Sequence, residues 1–285
     1  MIITRIKLDR GMGDAINARV FLLCYCEQRG IPQNTITIYT DRHKVFFEGD
    51  KFILKDLRED TNRYPLFSNV GNINTPMRYR LRKPDLSIAH NFGIKYNWNM
   101  KRDFNWVRPN IDHVKLPEKF ITINYGFDNI SKDDEICAKV WLVEYWEQFV
   151  KKIGVPVVQI GAGKNCKHIK GVDVDLVDKL NIKESAEVLR KAMFHVDTEG
   201  GLVILNQQIG GKSVVLFGAT PMDVYAREGN LNIVKNRCKF SPCELNSSVK
   251  SKIYMKKDNV YCDLRCMKDL DPDFVVEQIY KNSWL

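Results

Sequence analysis

Long apolar runs are missing from this 285-residue chain. The longest, such as residues 155–160 and 213–217, are the size of a buried strand and far below the ~20 residues needed to span a bilayer, which excludes a membrane-spanning helix. The opening residues alternate as a strand does and lack the apolar core and small-residue cleavage site of a secretory signal, so a cytoplasmic location is expected. There is no repeat of fixed period and no low-complexity tract. Phosphate-binding signatures are incomplete: Gly161-Ala162-Gly163-Lys164 has neither the G-x-x-x-x-G-K-[ST] spacing nor a full G-x-G-x-x-G, and it reads as a tight turn. The histidines are scattered without ligand spacing, and tight Cys-x2-Cys pairs are lacking.

Of the residues present, 44% are hydrophobic and 28% charged, the balance of a chain that buries a core and is not disordered. Against a prior of roughly 100 to 200 residues per domain, the length implies two compact units. A net charge of +9 favours anionic partners: nucleotide phosphates, acidic glycans, an anionic membrane surface or nucleic acid. Eight cysteines in a reducing compartment are expected as thiols or metal ligands and not as disulfides.

Residues 2–8 read as a strand, Asp9 to Asp14 as a glycine turn, and residues 15–29 as an apolar-periodic helix stopped by Gly30 and Pro32. Further β-rich runs lie at 35–40, 45–47 and 86–90. The pattern breaks between Lys101 and Glu118, which places the domain boundary there and gives domains 1–115 and 116–285. The second half alternates strands (120–125, 155–160, 194–196, 213–217) with helices (140–153, 183–192, 202–209). Such alternation predicts a parallel sheet covered by helices, hence an α/β fold. Asn181 and Glu184 have the spacing of a capping box, and Asp271-Pro272 starts a final helix through Ile279.

Two glycine turns sit where a strand hands over to a helix, the place where open α/β sheets bind ligands. In the first, Gly11-Met12-Gly13-Asp14, the glycines allow close approach to the backbone; Asp14 is either a helix N-cap or a carboxylate able to take a proton from a hydroxyl. In the second, Asp197-Thr198-Glu199-Gly200-Gly201, glycines at a helix start would expose N–H groups as a diphosphate cradle, although a plain capped turn has the same composition. Cys238, Cys243, Cys262 and Cys266 bring two close thiol pairs into one polar stretch. Four thiolates suit structural zinc or a rubredoxin-like iron, and free or buried thiols are the alternative. Arg78-Tyr79-Arg80-Leu81-Arg82-Lys83 is the densest basic cluster, either a solvated face or a contact for an acidic acceptor. His195 beside Asp197 reads as part of a strand end.

The order of these pieces resembles the heptosyltransferase-like glycosyltransferase family 9. The segments that carry the resemblance are Gly11-Met12-Gly13-Asp14-Ala15-Ile16, Lys139-Val140-Trp141, Ile160-Gly161-Ala162-Gly163, and Asp197-Thr198-Glu199-Gly200-Gly201-Leu202. Val214-Val215-Leu216-Phe217 follows with Gly218-Ala219-Thr220-Pro221, and then the Cys262 to Cys266 tail before Asp271-Pro272. The resemblance implies a GT-B fold, two Rossmann-like domains facing each other across a cleft. It implies Asp14 as general base, Lys139 as a phosphate contact, and a donor site that includes Gly13, Asp197, Thr198, Glu199, Gly200 and Gly201. No catalytic cofactor is implied, since a lysine and a helix start balance the leaving charge. The implied partners are a nucleotide-sugar donor, ADP-heptose or another, and a glycan, glycolipid or protein acceptor; a glycolipid would bring peripheral membrane contact. Two features depart from the family pattern: Ile204 stands where many members have a histidine, and the N-terminal half is short.

Two other classes stay open at this level. A nucleic-acid-binding protein would use the cysteine stretch as a zinc ribbon, but the basic excess is not concentrated beside it. A transferase-like scaffold without activity would have no use for Asp14 and Lys139.

Overall fold

The computed structural model describes residues 3–8, 11–59, 92–97, 99–126, 135–137, 139–235, 238, 241–242, 254–256 and 264–285. The chain divides into two compact units, Met1–Val107 with Gln208–Gly210 and Arg108–Gln207 with Gly211–Leu285. Among the described residues no helix is long and apolar enough to cross a membrane.

In the N-terminal unit, β1 (Arg5–Lys7), β2 (Thr37–Tyr39) and β3 (Ile53–Lys55) form a parallel sheet in that order. Parallel neighbours need a crossover, and α1 (Met12–Arg29) supplies the one between β1 and β2. Because α1 is apolar nearly all round, with Ile16, Val20, Phe21, Leu22 and Tyr25 buried, it is a core helix. Phe21 meets Phe92 and Tyr96 edge-on at 5.6 and 5.7 Å. Gly30 ends the helix at φ 62, a left-handed conformation that costs glycine no Cβ clash. Arg19, 1% exposed, pairs with Asp50 at 2.6 Å and donates to the carbonyls of Arg102 and Asp103. Its buried charge is thereby matched and hydrogen-bonded.

Helix α1 begins three residues before the expected Ala15, with Gly11 as its N-cap residue. Asp14 is therefore not a cap; it lies in the first helical turn, where a carboxylate is favoured by the N–H groups of the helix start. Residues 45–47 were expected as a strand and are instead part of a 3-10 turn, Lys44–Phe47. Phe46 and Phe47 are both buried there. Residues 86–90 lie outside the described residues.

The C-terminal unit is built on β4 (Ile121–Asn124), β5 (Glu135–Cys137), β6 (Val157–Ile160), β7 (Val174–Asp175), β8 (His195–Thr198), β9 (Ser213–Phe217), β10 (Leu231–Val234) and β11 (Tyr254–Lys256). Six of them form one parallel sheet in the order β10-β9-β8-β4-β6-β7, while β5 and β11 pair antiparallel on their own. Read from the β7 edge and numbered in chain order, the large sheet runs third, second, first, fourth, fifth, sixth, the doubly wound Rossmann arrangement. Its helices are α2 (Val143–Lys152), α3 (Ile182–Lys191), α4 (Gly201–Gln208), α5 (Met222–Tyr225), α6 (Arg265–Lys268) and α7 (Pro272–Lys281).

Ile121, Ile123, Val196, Val214 and Leu216 point to one face of this sheet, into a core shared with Trp146 and Phe149 of α2 and Val275 and Ile279 of α7. Trp141 closes that core: its ring lies edge-on to Trp146 at 4.9 Å, and its indole N–H donates to the Leu270 carbonyl at 2.7 Å. Strand alternation sends Thr122 and Asn124 of β4, and His195 and Asp197 of β8, to the opposite face. Both expected caps are present. Asn181 accepts from the N–H groups of Lys183 and Glu184 while Glu184 accepts from Asn181 N–H, and Asp271 accepts from Phe274 N–H at 2.9 Å with Pro272 behind it.

Candidate functional site

In the large sheet the chain proceeds from β4 to β6 on one side and from β8 to β9 on the other. The carboxyl ends of β4 and β8 therefore part, and a doubly wound sheet offers its ligand crevice at that switch point. Asn124 ends β4 and Thr198 ends β8; Glu199 and Gly200 then lead into α4, whose first N–H groups have no partner within the helix.

Asp197 is 3% exposed, and its carboxylate turns inward. It accepts from Thr198 N–H at 2.7 Å and from the Asn124 amide at 3.1 Å, and it lies 3.4 Å from the His195 ring. Glu199 turns the other way: its carboxylate takes the ammonium of Lys139 at 2.6 Å, and the same ammonium lies 5.9 Å from the centre of the Tyr225 ring. Both charges are mostly shielded, at 23% exposure for Lys139 and 13% for Glu199. Behind Glu199 and Gly200 is a cavity of about 10 Å³, also lined by Tyr225, Arg227, Asn230 and Asn232. It has room for a single water and not for a sugar.

The neighbouring turn after β6 is close-fitting. Gly161 has φ +138, and a Cβ there would stand 2.5 Å from the Asn124 side-chain oxygen and 2.7 Å from Cys166 Sγ. Gly163 N–H donates to Asp178 at 2.7 Å, so this glycine turn is braced by a carboxylate, as a structural turn is. Burial, and then the carboxylates of Asp178, Asp197 and Asp175, push the Cys166 thiol up to about 12. It stays protonated at neutral pH and is no nucleophile.

The structure brings Lys139, Asp197, Thr198, Glu199, Gly200 and Gly201 to one end of the C-terminal sheet. Gly13 and Asp14 belong to the N-terminal unit, in the first turn of α1, with Asp14 partly exposed. Cys266 is buried and Cys238 half-buried against the same core as Trp141 and Met267, whereas Cys243 and Cys262 lie outside the described residues. Among the described residues no three metal-binding side chains cluster. The basic run 78–83 also lies outside them. Sequence reasoning missed Asn124 and Tyr225. An asparagine at a strand end is a usable signal for the first of these; the second carries none.

No family model matches the sequence, and no curated protein does. Solved structures do match. The iron-containing dodecameric glycosyltransferase TibC from enterotoxigenic E. coli H10407 aligns with a TM-score of 0.70 at 14% identity, over 98% of this chain and 76% of that one. TibC in complex with ADP-D-beta-D-heptose gives the same TM-score and identity over 99% and 76%. A glycosyl transferase family 9 from Veillonella parvula DSM 2008 gives 0.65 at 12% identity, over 99% and 98%. The chain has the fold of these glycosyltransferases. Its resemblance to family 9 thus extends from short motifs to the course of the backbone. Fold by itself does not fix chemistry, which has to be argued from the residues at the switch point.

Proposed function

We propose that this chain is an inverting glycosyltransferase that moves a sugar from a nucleoside-diphosphate donor to a hydroxyl of a glycan, glycolipid or protein. The observation that carries the reading is the switch point of the C-terminal sheet, where Lys139 and the Gly200-Gly201 helix start stand beside one another on a fold shared with glycosyltransferases. Asp14 takes the proton of the acceptor O–H, the oxygen attacks the anomeric carbon, and the bond from that carbon to the phosphate oxygen breaks with inversion. Lys139 and the N–H groups at the start of α4 take up the charge of the departing diphosphate. The TibC complex with ADP-D-beta-D-heptose makes ADP-heptose the first donor to try.

A thermal-shift screen against ADP, UDP, GDP and CMP and their sugar conjugates tests the donor, because a ligand that binds only the native state raises the melting temperature. One nucleotide should give a saturable shift that Gly200→Glu removes. Asp14→Ala should abolish transfer and leave that shift nearly intact; full activity in Asp14→Ala overturns the base assignment. No shift with any nucleotide, alongside tight salt-sensitive binding to nucleic acid, would favour the zinc-ribbon reading, which a two-unit glycosyltransferase fold over 98% of the chain does not favour.

Cys238, Cys243, Cys262 and Cys266 are proposed to hold a structural metal, zinc or iron, that staples the tail to the core. In support, Cys238 and Cys266 pack against one core cluster, and TibC is described as iron-containing. Elemental analysis should find stoichiometric metal that Cys238→Ser removes; metal-free protein of full stability refutes the site.

A further inference from the structure

Thr122 and His195 are direct neighbours in the β4–β8 register, and two residues further on Asn124 and Asp197 occupy the same face. The side chains form a chain of hydrogen bonds on that face. Thr122 Oγ1 lies 3.0 Å from His195 Nδ1, His195 Nε2 lies 3.4 Å from Asp197 Oδ2, and the Asn124 amide reaches the same oxygen at 3.1 Å. Thr122 and His195 are fully buried, and Asp197 is 3% exposed.

A carboxylate only accepts hydrogen bonds, so the His195 nitrogen facing it has to carry the proton. Nδ1 of the neutral ring is then an acceptor, and the Thr122 hydroxyl, which can rotate to donate, supplies its hydrogen. One direction of donation runs through the chain, from Thr122 O–H to His195 and from His195 N–H to Asp197. A carboxylate this deep is costly unless its oxygens are satisfied, and here three donors hold it: the His195 ring, the Asn124 amide and Thr198 N–H. The last of these fixes the backbone at the point where the strand becomes the loop with Glu199 and Gly200.

We propose that His195 is a positioning residue of the donor site. Held by Thr122 as the neutral tautomer with the proton on Nε2, it orients Asp197, and through Asp197 it sets the loop whose N–H groups meet the donor. The inference rests on the donor-site reading above. It gives the buried histidine a function beyond filling the sheet, and it makes Asp197 an anchor of the loop instead of a direct ligand contact.

Two measurements on the full chain test it. Long-range ¹H–¹⁵N spectra of histidine-labelled protein at neutral pH, assigned with His195→Gln, should show the Nε2–H tautomer for His195; an Nδ1–H tautomer or an imidazolium overturns the proposal. Calorimetric titration should give a Kd for ADP, or for the nucleoside diphosphate that the screen selects, about tenfold weaker in His195→Leu and in Thr122→Val than in the wild type, equivalent to ~1.4 kcal/mol. His195→Gln, which keeps a side-chain N–H donor, should stay within about threefold. A merely structural role would lower the melting temperature of these variants and leave the Kd of the folded fraction unchanged, which refutes the positioning role while the donor reading survives. If the wild type binds no nucleoside diphosphate, the donor reading falls and takes this inference with it. Should His195→Leu fail to fold, Thr122→Val and the wild-type tautomer decide.

Discussion

Replacing Gly161 by alanine probes the switch point at its tightest place. The residue has φ +138, where a side chain is strained by ~1–3 kcal/mol. The added methyl would also stand 2.5 Å from the Asn124 side-chain oxygen and 2.7 Å from Cys166 Sγ, and contacts that short cannot persist. The Asn124 amide must swing away, and its 3.1 Å bond to the Asp197 carboxylate goes with it. A hydrogen bond to a charged group contributes ~1.5–3 kcal/mol. The two effects together come to about 2.5–6 kcal/mol, and at ~2–4 °C per kcal/mol for a domain of this size the melting temperature should fall by roughly 10 °C. Gly200→Ala is the matched control: its Cβ would meet nothing closer than the Thr198 carbonyl at 3.7 Å, an ordinary contact, so the expected change is under about 1 kcal/mol. Thermal unfolding followed by circular dichroism reads both. Gly161→Ala melting within about 2 °C of the wild type, or Gly200→Ala melting well below Gly161→Ala, would refute the reasoning.

Glu199→Gln removes the carboxylate that takes the Lys139 ammonium at 2.6 Å and leaves that charge to a diphosphate, so titration should find nucleotide affinity raised by about three- to tenfold; an affinity tenfold lower would show that Glu199 itself holds the donor. At Asp271, burial alone would raise the pKa, but the Lys235 ammonium at 2.7 Å and Phe274 N–H hold the carboxyl below its ordinary value. A lowered folded-state pKa contributes stability that is present above the unfolded value of ~3.9 and is lost as pH falls through the folded one. The gap in melting temperature between wild type and Asp271→Asn should therefore shrink as pH falls from 7 to below the unfolded value of ~3.9, and a constant gap would contradict this. With its thiol pushed up to about 12, Cys166 should resist maleimide at pH 8 in the folded chain and react at once in urea, as peptide-resolved mass spectrometry would show; equal rates would place it in a wetter, less acidic setting.

The alternation of strands and helices in the C-terminal half was legible because most of the main strands carry short, buried apolar runs and most of the helices have their own cap or apolar stripe. Elements of two or three residues were not. Val174–Asp175 in β7, and the β5–β11 pair, carry no local pattern, and Tyr254 finds Cys137 across more than a hundred residues of chain. The start of α1 was read too late because glycine at positions 11 and 13 argues against a helix, yet burial of Ala15, Ile16 and Ala18 outweighs that weak propensity.

At the site, the Asp197 to Gly201 loop was visible as two glycines after a strand, and Lys139 only through the family resemblance. The partner of Asn124 and the role of His195 could not be seen. Each acts on a partner 73 residues away, and what joins them is the register Thr122 to His195. Strand periodicity tells which residues share a face within one strand, but it cannot tell which residue of another strand stands opposite. A slip of one residue between β4 and β8 would set Ile123 beside His195 and turn Asn124 away from Asp197, placing a buried carboxylate against an apolar core. The polar ladder therefore works in both directions: the sheet assembles the site, and the cost of leaving Asp197 without its donors holds the sheet in the register that the site requires.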